Sequence, residues 1–414
     1  MVKDNRTNKI NIAFRVILLT LAGSFIYAMN AGIRNNYGIM LNSIIDNSGI
    51  SFTSVSFVLA VGQLIFGLVQ PVFGIIASKK GNVFVLISGI ALMLAGMLLI
   101  PLSKSIISLM LCLGFILPAG TGAIFFGVIM GSIIPKIPAK SVPAVSGIVN
   151  ASSGIGNSVL SPVINSLIKT GGLTHGMQIL AIPVFLMLPV SLLIGKKDKT
   201  QTIQADGSIS QPPSKEQINI KEMFKAALKN KTYIYLMIGF FTCGFHMALI
   251  TNHLPMQIQS FGFSSEVAAY AFSTYGITTI IGSVLSGSLC SKFKMKNVLG
   301  FYYGLRPLTI LFFLILPKTI FTVTFFTALF GFSGVATVPP VSGIINRTFG
   351  AASIATLFGL VLFIHQIGGF FGAWFGGICF NITGSYTAIW VAAIAFGIAA
   401  SAISFAIKEN KADI

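Results

Sequence analysis

The sequence predicts an all-α membrane protein whose twelve transmembrane helices form two six-helix, pseudo-symmetric bundles. Three observations lead there. The chain of 414 residues is 54% hydrophobic and only 9% charged, with mean hydropathy +0.89, whereas a soluble domain carries about 25% charged residues. Its apolar runs are long enough to cross a bilayer, which takes about 20 residues each. Its basic residues sit in short tracts between these runs, weighted to one side.

The runs fall near 14–40, 52–78, 83–103, 106–134, 142–168, 176–195, 232–259, 265–290, 297–316, 319–345, 352–380 and 385–407. The first, from about Val16, is too long for a signal-peptide core and has no small-residue cleavage site, so it reads as span one. The 43 glycines suit close helix packing in lipid. Cys112, Cys243, Cys290 and Cys379 lie inside apolar runs without metal-ligand spacing and read as small core residues.

Orientation follows from the loops. With an even number of spans the termini share a side. That side collects Lys3, Arg6, Lys9, Arg15, Lys79, Lys80, Lys136, Lys140, the lysines from Lys196 to Lys231, Lys292, Lys294, Lys296, Arg347, Lys408 and Lys411. The opposite side has only Lys104, Lys169 and Lys318. The bias places both termini in the cytoplasm and turns the formal charge of +18 into a membrane signature rather than a nucleic-acid one. The expected division is a bundle over residues 1–195, a cytoplasmic linker over 196–231 and a second bundle over 232–414. The linker's end, Ile218–Leu228, reads as a short amphipathic helix at the membrane surface.

Five cationic or protonatable side chains fall within the spans: Arg34, His246, His253, Arg306 and His365. No carboxylate accompanies them at membrane depth. An arginine at the bilayer centre costs ~2.5–3.5 kcal/mol on insertion scales. Where the protein supplies no counter-charge, an anionic solute is the natural partner. Arg34 sits among Asn30, Asn35, Asn36 and Tyr37. His365, followed by Gln366, lies about 19 Å into span eleven by the helix rise. His246 and His253 are seven apart, which puts them on one face of span seven, and Pro255 should loosen that helix and free its carbonyls. The candidate substrate-binding set is therefore Arg34, Tyr37, His246, His365, Gln366 and, from the polar face of span five, Asn150. The proton-coupling candidates are His246, His253 and His365, because imidazole holds an anion when protonated and releases it when neutral. A contact of His253 with Glu266 is the alternative for that residue. Gln63 and Gln70 are further cavity candidates. Arg306, ahead of Pro307, reads as structural.

The halves repeat each other. Gly74, Ser78, Lys79 and Gly81 after span two are echoed by Gly287, Ser291 and Lys292 after span eight. A six-span repeat with this loop pattern resembles the major facilitator superfamily. That family's loop carries an acid where Ser78 and Ser291 stand here, so the resemblance implies a weaker latch between halves. Within the superfamily, Gly32-Ile-Arg34-Asn-Asn-Tyr37-Gly38, the Cys243–Pro255 stretch, and Phe358-Gly359 through His365-Gln366 to Gly372 resemble the bacterial monocarboxylate-transporter-like and oxalate–formate exchanger branch. Those exchangers carry a lysine where His365 stands and an arginine where Ser283 stands, so their double-cation clamp is not reproduced.

No nucleophile elbow, P-loop or zinc spacing is present, and the nine carboxylates fall outside the middle of the spans. Enzyme readings therefore fail, no cofactor is expected, and transport must run on a gradient. The expectation is a monomeric secondary transporter in a bacterial inner membrane. It moves a small organic anion, a monocarboxylate in the first instance, by proton symport with alternating access. Efflux of a hydrophobic compound and anion exchange are the alternatives. A non-transporting sensor would need a folded soluble domain, and the linker is too short and polar for one.

Overall fold

The computed structural model describes residues 2–138, 141–195, 220–350 and 354–409, and these are helical almost throughout. Eleven of the helices are long and apolar enough to cross a membrane. One of them, Ala144–Gly195, has 52 residues, about 78 Å if straight against a hydrocarbon core of about 30 Å. It is not straight. Gly172 breaks it at φ 73°, a conformation that only glycine adopts without strain. A Cβ on Gly176 would stand 3.1 Å from Ile168, so the chain doubles back. At the far end Lys136 donates to the Ile194 carbonyl, which returns the chain to the level where the helix began. The two arms are spans five and six, giving twelve crossings.

Span one is Val2–Asn35, continued after a break at Asn36 by Tyr37–Ser48. Spans two and three are Phe52–Lys80 and Asn82–Leu99. Span four is Ile106–Lys136, with a π-helical turn at Met110–Ile116. Spans seven to twelve are Lys231–Ser260, Ser265–Cys290, Met295–Ile315, Ile320–Phe349, Ile354–Thr383 and Thr387–Phe405. Ser51, Ser105, Asn230 and Thr319 start four of the helices by accepting from first-turn amides. Apolar side chains such as Phe14, Leu21, Val72, Phe185 and Phe321 stay exposed, as lipid-facing residues must.

The amphipathic piece before span seven is Ile220–Lys229. Ala227 is buried, Met223 and Phe224 pack on the base of span seven, and Lys225 and Lys229 are exposed. The rest of the expected linker, 196–219, lies outside the described residues, as do Lys140 and Lys411. On the opposite end each expected lysine is tied locally: Lys104 to the Asn47 carbonyl, Lys169 to Glu266, and Lys318 to the Phe313, Leu314 and Leu316 carbonyls.

The halves meet through spans two and eleven, and through spans five and eight, which are equivalent pairs under the repeat. Small residues set the approach. A Cβ at Gly276 would stand 2.5 Å from the Gly154 carbonyl oxygen, and one at Gly67 would stand 2.6 Å from Gln366 Cγ. Spans one and seven touch where both are irregular. Gly38, just past the Asn36 break, lies against the Thr251 and Asn252 carbonyls of the π-helical turn Leu249–His253.

Contact between the halves is concentrated at the end away from the termini. Asn42 donates to Gln259 (3.2 Å) and Ser161 to the Ala269 carbonyl (2.8 Å). Ser158 and Ser273 exchange hydroxyl–carbonyl bonds, and Lys169 pairs with Glu266. Toward the termini, positions 147, 287 and 359 on spans five, eight and eleven face open space. The molecule is closed on the far side, and these hydrogen bonds and this ion pair between the halves all lie there, none of them on the side of the termini.

Candidate functional site

Arg34 is pinned at the break of span one by three asparagines. Asn30 donates to the Thr121 and Ile124 carbonyls (3.0 and 2.9 Å), where span four is itself interrupted. Asn36 donates back to the Gly32 carbonyl (2.6 Å), and Asn35 reaches Asn157 on span five (3.2 Å). The asparagines thus spend their donors on scaffolding, and Arg34 is left for other work. Its Nη1 lies 3.4 Å from Gln63 Oε1, and its Cζ is 4.2 Å from the Phe66 ring centroid. Among the described residues no carboxylate pairs with it.

A small cavity opens on this guanidinium, lined by Arg34, Tyr37, Gln63, Phe66, Pro118 and Thr121. Tyr37 is 5% exposed, and its buried hydroxyl has no hydrogen-bond partner. A buried polar group left unmet costs ~1–3 kcal/mol. The site therefore presents a cation, an amide and an unpaired hydroxyl beside an apolar wall. A carboxylate fits this donor set: Arg offers paired N–H groups to two oxygens, and the tyrosine can donate to either. Tyr27 and Tyr275 also lie near the guanidinium.

Phe66 and Tyr275 are not among the residues the sequence singles out, and Gln63 stands there only as a cavity candidate. The seven-residue spacing of Gln63 and Gln70 was the available signal; nothing in the sequence tied either to Arg34. Gln366 is 5% exposed and packs on Gly67, while Gln63 packs on Gly369, so the two glutamines interlock across spans two and eleven. His365 is half-buried on span eleven, its ring 5.9 Å from Phe240 and beside Cys243, with Nδ1 unpartnered. Asn150 is half-buried on span five, two turns toward the termini from Asn157. Arg34, Tyr37 and Gln63 thus come together, Gln366 interlocks with Gln63, and His365 lies one residue along span eleven.

His246 and His253 do not share a face. His246 Nε2 bonds the Ala393 carbonyl of span twelve (2.8 Å), and its ring packs on Phe330. His253 Nε2 bonds the Ala373 carbonyl of span eleven (2.7 Å). The π-helical turn between them winds more slowly than an α-helix and rotates His253 out of register. Glu266 is paired with Lys169 rather than His253.

Arg306 is fully buried within the second half. Its Nη2 donates to the Ser333 and Gly334 carbonyls (2.8 and 3.0 Å) and lies 3.4 Å from Cys243 Sγ. Those carbonyls end the helix Ile320–Gly334, where the helix dipole is negative. Arg306→Ala is expected to leave both carbonyls unmet and to cost about 3–5 kcal/mol. Thermal unfolding in detergent checks this, with a lowered midpoint as the predicted result.

Of the loop residues, Ser78 donates to its own helix at Ile75 (2.8 Å) and Ser291 to Ser288 (2.7 Å), so neither hydroxyl bridges the halves. Gly81 ends span two at φ 90°. Lys79 and Lys292 are exposed, and Gly74 and Gly287 have room around them.

The chain is similar to several known transporters. It is 28% identical over 179 residues to an uncharacterized MFS-type transporter, YcxA, of Bacillus subtilis, covering 42% of this chain and 43% of that one. It is 21% identical over 388 residues to monocarboxylate transporter 13 of Rattus norvegicus, covering 93% and 87%. It is 26% identical over 329 residues to monocarboxylate transporter 12 of Xenopus laevis, covering 74% and 70%. In fold it matches a D-xylose–proton symporter (TM-score 0.72, 14% identity, 96% and 98% coverage). It also matches the Escherichia coli fucose–proton symporter (TM-score 0.63, 14% identity, 96% and 100% coverage). The Major Facilitator Superfamily model matches residues 22–269 and 236–413, nearly the whole chain. The protein is a multi-pass membrane transporter, not an enzyme, and it belongs to the major facilitator superfamily.

Proposed function

We propose that this transporter carries a small monocarboxylate together with a proton. One observation carries the reading: Arg34, without a carboxylate partner among the described residues, shares a cavity with the unpaired Tyr37 hydroxyl. A fixed cation and a free donor at membrane depth call for an anion that arrives and leaves. The similarity to monocarboxylate transporters supports the solute class. The likeness in fold to proton symporters is compatible with proton coupling.

In this reading the termini lie in the cytoplasm, following the lysine and arginine bias. The conformation then faces inward, closed toward the outside. The membrane is the bacterial inner membrane and the working unit is a monomer. His365 is the coupling residue nearest the cavity: protonated, it adds a second positive charge on the facing span; neutral, it withdraws it. His365→Ala is expected to leave uptake insensitive to an imposed proton gradient. Full gradient stimulation in that variant would remove His365 from the coupling path.

The direct test is uptake of labelled acetate, lactate and pyruvate into proteoliposomes. Three arms separate the mechanisms: an inward proton gradient, no gradient, and internal unlabelled carboxylate. Symport predicts stimulation by the gradient, and exchange predicts stimulation by the internal anion alone. No uptake in any arm would overturn the solute class and favour efflux of apolar compounds.

A further inference from the structure

The closed outer seal contains three polar side chains, each with one hydrogen-bonding atom unmet. Ser56 on span two is 0% exposed, His253 on span seven 1%, and Tyr386 before span twelve 2%. Ser56 Oγ, His253 Nδ1 and Tyr386 Oη are all buried without a partner. They converge from three elements and both halves. The His253 and Tyr386 rings are 5.5 Å apart. Both Ser56 Oγ (2.6 Å) and His253 Cε1 (3.9 Å) lie close to one point, the place a Cβ on Gly377 would take. Phe52 and Phe380 wall the group in: Phe52 packs on the His253 ring and Phe380 stacks on Tyr386. Packing alone does not explain three orphaned polar groups in one apolar contact, since apolar residues of the same shape would make a tighter seal.

The chemistry of the three is complementary. His253 Nε2 faces a carbonyl oxygen, which only accepts, so Nε2 carries the hydrogen. In the neutral ring Nδ1 is then a bare lone pair, ready to take a proton. The two hydroxyls donate. Tyr386, with Cys379 behind it, is the titratable group on the neighbouring elements. Among the described residues no charged side chain faces the ring.

We propose that Ser56, His253 and Tyr386 form an outer subsite that binds one proton and the carboxylate of the same solute when the outer end opens. This rests on the monocarboxylate reading above. The step moves one proton from outside water onto Nδ1, forming an N–H bond. The resulting imidazolium pairs with one carboxylate oxygen while the hydroxyls hold the other. On closure the N–H bond breaks as Nδ1 returns its proton to a carboxylate oxygen, and the neutral acid moves inward, where the proton passes to His365 and the carboxylate to Arg34. The same groups then remain unmet, as they are in this conformation.

The test uses the full chain held open on the outside by Gly276→Trp, with Ala269→Trp as a second background should the first fail to fold. Binding of labelled lactate and pyruvate is measured between pH 5 and pH 8. In either background, Ser56→Ala with Tyr386→Phe is expected to weaken binding about tenfold, the worth of two ordinary hydrogen bonds. His253→Gln is expected to abolish the strengthening of binding by acid. Unchanged affinity and unchanged pH dependence in these variants would overturn the subsite. If the wedged parents bind the acids but their variants match them, the subsite alone fails. If neither the parents nor the wild type bind any acid, the monocarboxylate reading fails and takes the subsite with it.

Discussion

Arg34→Gln is expected to weaken carboxylate binding by about ten- to 150-fold and to bring uptake close to background. A charge-assisted hydrogen bond is worth ~1.5–3 kcal/mol, and each 1.4 kcal/mol is about tenfold. The substitution keeps a neutral, shorter hydrogen-bonding side chain beside Gln63 and Phe66, and removes none of the other residues that wall the cavity. Arg34→Lys should fall between the two, because an ammonium is a point charge without the paired geometry of a guanidinium. The scaffold should tolerate both changes, since Asn30, Asn35 and Asn36, not Arg34, hold the break of span one. Equilibrium binding of labelled lactate checks the affinity, and an unchanged thermal midpoint separates lost recognition from lost folding.

The second large effect concerns the cycle rather than the site. Gly276→Trp is expected to stop turnover by more than 100-fold while the protein stays folded. An added Cβ at Gly276 would stand 2.5 Å from the Gly154 carbonyl oxygen and 2.7 Å from Ser158 N. Backbone cannot yield there as a flexible side-chain tip would, and an indole is far larger than one carbon. Spans five and eight must separate at the end away from the termini, breaking the Ser158–Ser273 and Ser161–Ala269 bonds and the Lys169–Glu266 pair. The form open at that end becomes the only accessible one. Spin labels at Asp46 and Ser260, at the same end of spans one and seven, should then report a longer separation than in the wild type. An unchanged distance would show that the seal accommodates the wedge.

Much of the fold was legible in the sequence because lipid imposes it. Every backbone group must be paired within a helix, so span positions follow from run length, and even the turn at Gly172 fell between two predicted runs. The repeat was legible because Ser78 and Ser291 sit at matching places. The site was only half legible. Arg34 and Tyr37 drew attention by being polar in an apolar run. Gln63 and Phe66 became partners only through the packing of span two on span one, which no local pattern encodes. The histidines show why. A seven-residue spacing implies one helical face, but the π-helical turn at Leu249–His253 shifts the phase. It sends His246 toward Ala393 and His253 toward Ala373. Pro255 marked a loosened helix without fixing how its turns would be wound.

The most direct test of proton-coupled carboxylate transport through Arg34 is the internal pH of proteoliposomes after lactate is added outside, with the membrane potential clamped to zero. Wild-type vesicles should acidify faster than protein-free vesicles, and Arg34→Gln vesicles should acidify only at the protein-free rate. Wild-type vesicles that acidify no faster than protein-free ones would contradict coupled transport. Arg34→Gln vesicles that match the wild type would show that the anion does not pass through this site.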